Sequence, residues 1–316
     1  MRRKIVIALG GNAIKQKGQR GTGKEQFENI WISCRQIIGV LRQGYRVVIT
    51  HGNGPQVGNL LIQQEQGKLQ VPEQPLDICG AMTQGQIGYM LEQALKNILR
   101  EERLNLDVVA VITQVLVDRE DPRFLTPDKP IGPFYTKELK EKYEKEKAYV
   151  MKKVAPNDKN PYRRVVPSPE PLRIIEGEII KKLVESGIIV IASGGGGIPV
   201  FFSDTGRIMG IEAVIDKDLS GEKLCESISA DIFAILTDVE KVALNYGTRN
   251  QRDLDVLSLK DAKKYIKEGH FQPGSMKPKV EACVRFLEFG GEKAIITSID
   301  KLEASLSGKA GTTVMS

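Results

Sequence analysis

Three lysines stand out by their neighbours. Lys129 lies in Asp128-Lys129-Pro130-Ile131-Gly132-Pro133-Phe134, Lys217 in Ile215-Asp216-Lys217-Asp218, and Lys279, with Lys277, in Gly274-Ser275-Met276-Lys277-Pro278-Lys279. With 46 Lys and Arg in the chain, any single lysine is ordinarily a solvated surface charge. These rise above that expectation because glycine turns and aspartates flank them. The chain also carries strand-like apolar runs that stop abruptly at glycine. Ile5 to Leu9 runs into Gly10-Gly11-Asn12, Val47 to Thr50 into His51-Gly52-Asn53-Gly54, and Ile188 to Ala192 into Ser193-Gly194-Gly195-Gly196-Gly197. A looser fourth case is Phe271 to Met276, where Gly274 opens a helix without a clear strand before it. Glycine removes the side chain, so backbone N–H groups can close on a small anion. Glycine cradles plus cations suit phosphoryl transfer, which needs positioned positive charge and Mg²⁺ and little covalent chemistry from the protein.

Other chemistries fit less well. Gly18-Gln19-Arg20-Gly21-Thr22-Gly23-Lys24-Glu25 matches the G-x-x-x-x-G-K phosphate loop but ends in Glu, where the motif needs a hydroxyl for Mg²⁺. No clean G-x-G-x-x-G opens a helix, which disfavours a dinucleotide-binding oxidoreductase, and no G-x-S-x-G elbow supports a serine nucleophile. His51 and His270 are the only histidines and are too far apart for a histidine-rich metal site. Cys34, Cys79, Cys225 and Cys283 form no Cys-x-x-Cys pair, so buried free thiols are expected rather than a disulfide framework or zinc site.

The elements that must position these residues alternate between strand and helix. Apolar spacing of three and four from Phe27 to Leu41 predicts a helix that Gly44 ends, followed by a strand over 46–50. A second helical pattern runs from Met82 to Leu99, with a strand over 108–113 after it. Gly80, Gly85 and Gly88 in that pattern read equally as close packing or as function. Further on, the pattern gives a helix over 174–184, a strand over 188–192, a hairpin arm at 200–202 and 208–209, helices over 219–228, 257–267 and 274–289, and strands over 232–236 and 293–297. The β-α-β order predicts a parallel sheet covered by helices. Nine of 15 prolines fall between Pro122 and Pro171, around a charged helix, Lys137 to Lys147, with pairs such as Glu138/Lys142 and Glu141/Lys145. That segment, about 118–171, reads as a protruding lid. The length of 316 residues suggests about two domains, divided near Val214 into 1–214 and 215–316.

Bulk properties describe an ordinary globular protein, whose net charge suits an anionic ligand or nucleic acid equally and reads by itself as a solvated surface of both signs. Apolar residues make up 41%, charged residues 27%, and the net charge is +6. Aromatics at 6% are not interleaved with basic clusters, which argues against nucleic acid as a partner. Arg2-Arg3-Lys4 before a short apolar run is too brief for a signal peptide, and no run reaches membrane length, so a cytoplasmic protein is expected.

Taken together, six stretches resemble the carbamate kinases of the amino-acid-kinase superfamily. They are Ala8-Leu9-Gly10-Gly11-Asn12-Ala13, His51 to Gly58, Lys129 to Phe134, Ser193 to Val200, Glu212 to Asp218, and Pro273 to Ala282, in order over essentially the whole chain. The resemblance implies a three-layer α/β/α sandwich with a central, mostly parallel sheet. It implies reversible phosphoryl transfer between ATP plus carbamate and ADP plus carbamoyl phosphate, usually run toward ATP, within arginine metabolism. A homodimer requiring Mg²⁺ is also implied. By motif, Gly10, Gly11, Asn12, Gly52, Asn53 and Gly54, with Gly194 and Gly195, would surround the carbamate and transferred phosphoryl group. Lys129, Lys217 and Lys279 would neutralise phosphate charge, with Asp218 orienting lysines. Thr237, Asp238 and Tyr246 would form the adenine pocket, with Gly274, Ser275 and Met276 beside the nucleotide. The metal would sit mainly on phosphate oxygens and water, with no protein ligand named. The alternatives are a relative forming another acyl phosphate and a non-enzymatic nucleotide sensor. Acyl-carboxylate relatives usually carry Lys where this chain has Ala8 and lack the Lys129-Pro130 insert.

Overall fold

The computed structural model describes residues 2–155 and 158–316. Its centre is an eight-stranded sheet in the order Val256–Ser258, Thr312–Met315, Lys293–Ser298, Ile232–Thr237, Lys4–Leu9, Arg46–His51, Ile189–Ile191 and Val108–Ala110. All pairings are parallel except that between Lys293–Ser298 and Thr312–Met315. Strand Lys4–Leu9 is inside, paired with Arg46–His51 on one side and Ile232–Thr237 on the other. Strand order reverses there, and open α/β sheets bind ligands at the carboxyl ends of strands beside such a reversal.

The strand's unbroken apolar run follows from burial on both faces. Ile5, Ile7 and Leu9 join one core cluster with helices Gly23–Arg42 and Leu76–Glu101. Val6 and Ala8 point the other way, into a cluster built with Gly177–Glu185, Lys217–Ile228, Leu259–Lys267 and Met276–Phe289. Each fully buried Ile or Leu side chain stabilises by roughly 1.5–3 kcal/mol. These are the three layers of the expected sandwich. Strand Ile232–Thr237, beyond residue 214, pairs directly with the first strand, so both parts of the chain share one sheet.

Several elements differ from their sequence readings, each for a local reason. The strand expected over 108–113 leaves the central sheet after Ala110, and Gln114–Leu116 enters a second sheet with Ile198–Phe202 and Arg173–Ile174. Gln84 fixes this turn, since its Oε1 accepts from Thr113 N at 2.7 Å and its Nε2 donates to Thr113 O at 3.1 Å. Ile174 is therefore in a strand, and the helix read from it begins at Gly177. The hairpin arm is present, Ile198–Phe202 antiparallel to Ile208–Gly210. Gly88 is a packing glycine, because a Cβ there would lie 2.9 Å from the Ala110 Cβ. All four cysteines are buried.

The proline-rich segment contains the charged helix Lys137–Lys147, but its ion pairs are Lys137–Glu141 and Lys140–Glu144 rather than those at 138/142 and 141/145. Beside it lies an unforeseen antiparallel sheet, Lys129–Tyr135, Tyr162–Val166 and Val150–Lys153. Pro130 and Pro133 fit there because Lys129–Tyr135 is an edge strand, which needs no complete set of N–H donors. The lid docks back through Tyr135 Oη to Glu65 Oε2 at 3.4 Å, Lys147 to Glu73 at 3.5 Å, and an Arg164–Glu212 ion pair.

Candidate active site

The first strand ends against its neighbour. A Cβ at Gly10 would sit 2.8 Å from the Leu236 carbonyl oxygen, so the chain can turn here only without a side chain. Gly11–Ala13 forms one turn of 3-10 helix, in which Ala13 N donates to Gly10 O at 3.1 Å. Next to it, Asn53 precedes a helix absent from the sequence reading, Gly54–Gly67, with Pro55 in its first turn. Asn53 Nδ2 donates to Thr83 Oγ1 at 2.8 Å. Gly195, at φ +68°, approaches so closely that a Cβ would lie 2.2 Å from that same Nδ2. Two further helices, Lys217–Ile228 and Met276–Phe289, begin at Asp216 and Ser275 on the same cleft. Three helix N-termini thus face one space, and their unpaired N–H groups favour an anion there.

The lysines surround that space. Asp218 Oδ1 accepts from Lys217 Nζ at 2.6 Å and Oδ2 from Lys279 Nζ at 2.8 Å, joining helices 217–228 and 276–289. Lys129 Nζ reaches from the lid to Asp216 Oδ2 at 2.9 Å. Asp216 Oδ1 also caps helix 217–228, accepting from Asp218 N at 2.9 Å.

Burial opposes the charge on Asp218, but two lysines outweigh it and hold the carboxyl at about 2. Burial pulls Lys279 down, but the charge and hydrogen bond of Asp218, with Asp216 and Asp238 behind it, together outweigh this and raise it. Lys217 shifts the other way: burial lowers it, and Asp218 only partly offsets this because Lys279 repels it. Both lysines draw on one carboxylate, and an incoming phosphate would supply the negative charge that Lys217 lacks. His51 is held neutral, lowered to about 4 by burial, with Nδ1 3.1 Å from Gly52 O. It is a packing residue: a Cβ on Gly194 would lie 2.4 Å from its Nε2.

The cleft consists of three adjoining cavities. The largest, about 640 Å³, lies under the lid and is lined by Gly11, Gly52, Asn53, Gly54, Lys129, Gly195, Lys217, Asp218 and Lys279. A second, about 520 Å³, shares Gly11, Lys217, Gly274, Ser275 and Lys279 with it and adds Gly10, Asn12, Thr237 and Asp238. A third, about 230 Å³, continues past Thr237, Asp238 and Ser275 to Tyr246 and Met276. The structure therefore gathers the site residues expected from sequence along one cleft, except Gly194. Gly194 is buried behind the wall, where Gln84 Nε2 donates to its carbonyl at 3.1 Å.

Two participants escaped the sequence reading. Asp216 was visible only as a neighbour of Lys217, although an Asp just before a helix is a recognisable N-cap signal. Arg163 lines the large cavity and donates from Nε and Nη2 to Gly132 O at 3.2 and 2.9 Å. Its guanidinium lies 5.1 Å from the Phe134 ring centroid, and nothing in the local sequence announces either contact. The phosphate-loop look-alike is a capping box: Thr22 Oγ1 accepts from Glu25 N, and the Glu25 carboxylate accepts from Thr22 N. Glu25, which spoiled the phosphate motif, is the residue that box requires.

The chain is similar to known proteins along nearly its whole length. Residues 3–298 match the profile of the amino acid kinase family. A carbamate kinase of Pyrococcus furiosus is 52% identical, covering 100% of both chains, and one of Clostridium perfringens is 45% identical over 99% of each. The solved structure of a Giardia lamblia carbamate kinase bound to AMP-PNP superimposes with a TM-score of 0.94 at 39% identity, covering 99% of this chain and 98% of that one. The chain belongs to the amino acid kinase family and, within it, to the carbamate kinases.

Proposed function

We propose that this cleft transfers a phosphoryl group reversibly between ATP plus carbamate and ADP plus carbamoyl phosphate. The observation that carries this reading is the cluster in which Lys217 and Lys279 share the Asp218 carboxylate at 2.6 and 2.8 Å. Lys129 closes the cluster from the lid side, in the largest cavity. The nucleotide would enter through the smaller cavities, adenine beside Thr237, Asp238, Tyr246 and Met276, with its phosphates running past Gly274 and Ser275 toward Lys279. Carbamate or carbamoyl phosphate would occupy the space under the lid, against Gly10, Gly11, Asn12 and Gly52-Asn53-Gly54. Residues 1–214 would mainly hold that substrate and 215–316 the nucleotide.

The transferred group carries negative charge in flight, and the protein's part is to place positive charge and N–H dipoles around it in advance. Asp218 keeps Lys217 and Lys279 aimed while they bind phosphate oxygens. The oxygens of a small acid would face backbone N–H groups, and His51 offers no fixed base, being neutral and buried. Asp218 is committed to lysines, so magnesium would arrive with the nucleotide, held by phosphate oxygens and water.

The same proposal puts the enzyme in the cytoplasm, in arginine metabolism, working toward ATP. Among the described residues, no helix is long and apolar enough to cross a membrane. We also propose a homodimer. Ile78, Met82 and Tyr89 are exposed along helix Leu76–Glu101, and Phe202, Ile208 and Met209 on the adjacent hairpin arm. Light scattering on the purified protein should give about twice the 35.0 kDa chain mass. For the activity, a coupled assay should show ATP formed from ADP, Mg²⁺ and carbamoyl phosphate. Absence of turnover there, with turnover on acetylglutamate or aspartate, would transfer the reading to another acyl kinase.

A further inference from the structure

We infer that Asp216 is a positioning residue that registers the lid on the phosphate-binding lysines before any substrate arrives. One carboxylate does two jobs. Oδ1 accepts from Asp218 N at 2.9 Å and so caps helix 217–228 at the turn carrying Lys217 and Asp218. Oδ2 accepts from Lys129 Nζ at 2.9 Å, on the lid's edge strand. The two contacts share one rigid planar group, so the helix end and the lid lysine cannot move independently while both persist.

The surroundings make this an assigned partnership rather than a passing surface pair. The Asp216 side chain is 15% exposed and that of Lys129 33%. Asp218, the other nearby carboxylate, already uses both oxygens on Lys217 and Lys279. Asp216 is therefore the counter-ion left for Lys129, and it lines the large cavity where an anion would be received. A carboxylate with both oxygens occupied offers an incoming phosphate only repulsion, so Asp216 acts through Lys129 and does not bind substrate itself. When the anion is in place, Lys129 gains a second acceptor without the lid having to search for its position. This inference rests on reading the cleft as a phosphoryl-transfer site.

The test pairs Asp216→Asn with Lys129→Ala and the double variant. Asparagine caps a helix about as well as aspartate, but its amide cannot ion-pair with Lys129. Asp216→Asn should therefore melt within a degree or two of the parent, while Asp216→Ala, which also loses the cap, should melt lower. In the unliganded protein, amide exchange over 129–135 should rise in Asp216→Asn to the level of Lys129→Ala, with no further rise in the double variant. In the coupled assay kcat/KM for carbamoyl phosphate should fall about 10- to 100-fold in Asp216→Asn, the range for a hydrogen bond between charged groups. The double variant should be no worse than Lys129→Ala. Unchanged lid exchange in Asp216→Asn, or losses that multiply in the double variant, would overturn the inference. The exchange measurement needs no turnover, so it decides this point even if the parent protein fails to use carbamoyl phosphate.

Discussion

Asp218→Asn tests the charge cluster most directly. The substitution keeps the shape and removes the charge shared by Lys217 and Lys279, whose side chains are only 17% and 13% exposed. Removing one partner of a buried pair costs roughly 3–5 kcal/mol, because the remaining charge is left without compensation. Two ammonium groups are stranded here, but the cost should not double: Lys217, already lowered by burial, can give up its proton. The depression of the Asp218 carboxyl from 3.8 to about 2 remains after its burial cost, and that net shift corresponds to roughly 2–3 kcal/mol. For a chain this long, about 4 kcal/mol lowers the melting temperature by roughly 6 °C.

The sign with pH follows from the depressed carboxyl. Its stabilising contribution is present above the unfolded value of 3.8 and lost as pH falls toward 2, so the parent should lose this increment over that window and the variant should not. Added inorganic phosphate should restore stability more in the variant than in the parent, since the anion replaces the missing charge. In the coupled assay kcat should fall by ~10²–10³, as for loss of a positioned electrostatic group. Differential scanning calorimetry with and without phosphate, together with steady-state kinetics, makes the comparison. Equal melting temperatures for parent and variant, with kcat within threefold, would show that the lysines do not depend on Asp218 and would refute the reasoning.

Lys279→Ala and Lys129→Ala should each reduce kcat by ~10²–10³ with the fold retained by circular dichroism; near-normal rates in both would make them surface charges. Glu222 gives a stability test away from the cleft. Its side chain is 0% exposed and neither carboxylate oxygen has a hydrogen-bond partner, with Lys223 Nζ 3.5 Å from Oε2; burial, helped by neighbouring Glu226 and only partly opposed by Lys223, raises its carboxyl to about 8. The folded state therefore holds a proton that the unfolded chain releases above 4.5, and stability falls as pH rises from 4.5 toward 8. Glu222→Gln should flatten that slope and raise the melting temperature at pH 8; an unchanged slope in urea titrations across this range would rule it out.

Much of the sandwich was legible because its signals are local. Strands buried on both faces read as short apolar runs, and the glycines ending them mark where the backbone must turn. Helix Gly54–Gly67 was not legible: it opens with Gly-Pro after a glycine turn, and its second half, Gln63-Gln64-Glu65-Gln66, carries no apolar stripe. The lid sheet was hidden for the opposite reason, since prolines that argue against an interior strand are harmless on an edge. In the site, lysines beside glycine or aspartate could be picked out, whereas the Lys129–Asp216 contact, spanning 87 residues, could not. Which carboxylate serves which lysine is decided by packing between helices, and no spacing rule encodes that.

The three cations come from three distant stretches, and the contacts joining them span 87 and 61 residues. No contiguous fragment shorter than residues 129–279 can therefore hold the cluster. A chain emerging from its amino terminus would contain six of the eight central strands before Lys279 exists to meet Asp218. Contacts so far apart in sequence are late to form, since loop closure must precede them. The paired grip of Lys217 and Lys279 is thus a late property of the fold, present only once the chain has passed residue 279 and closed a contact across 61 residues.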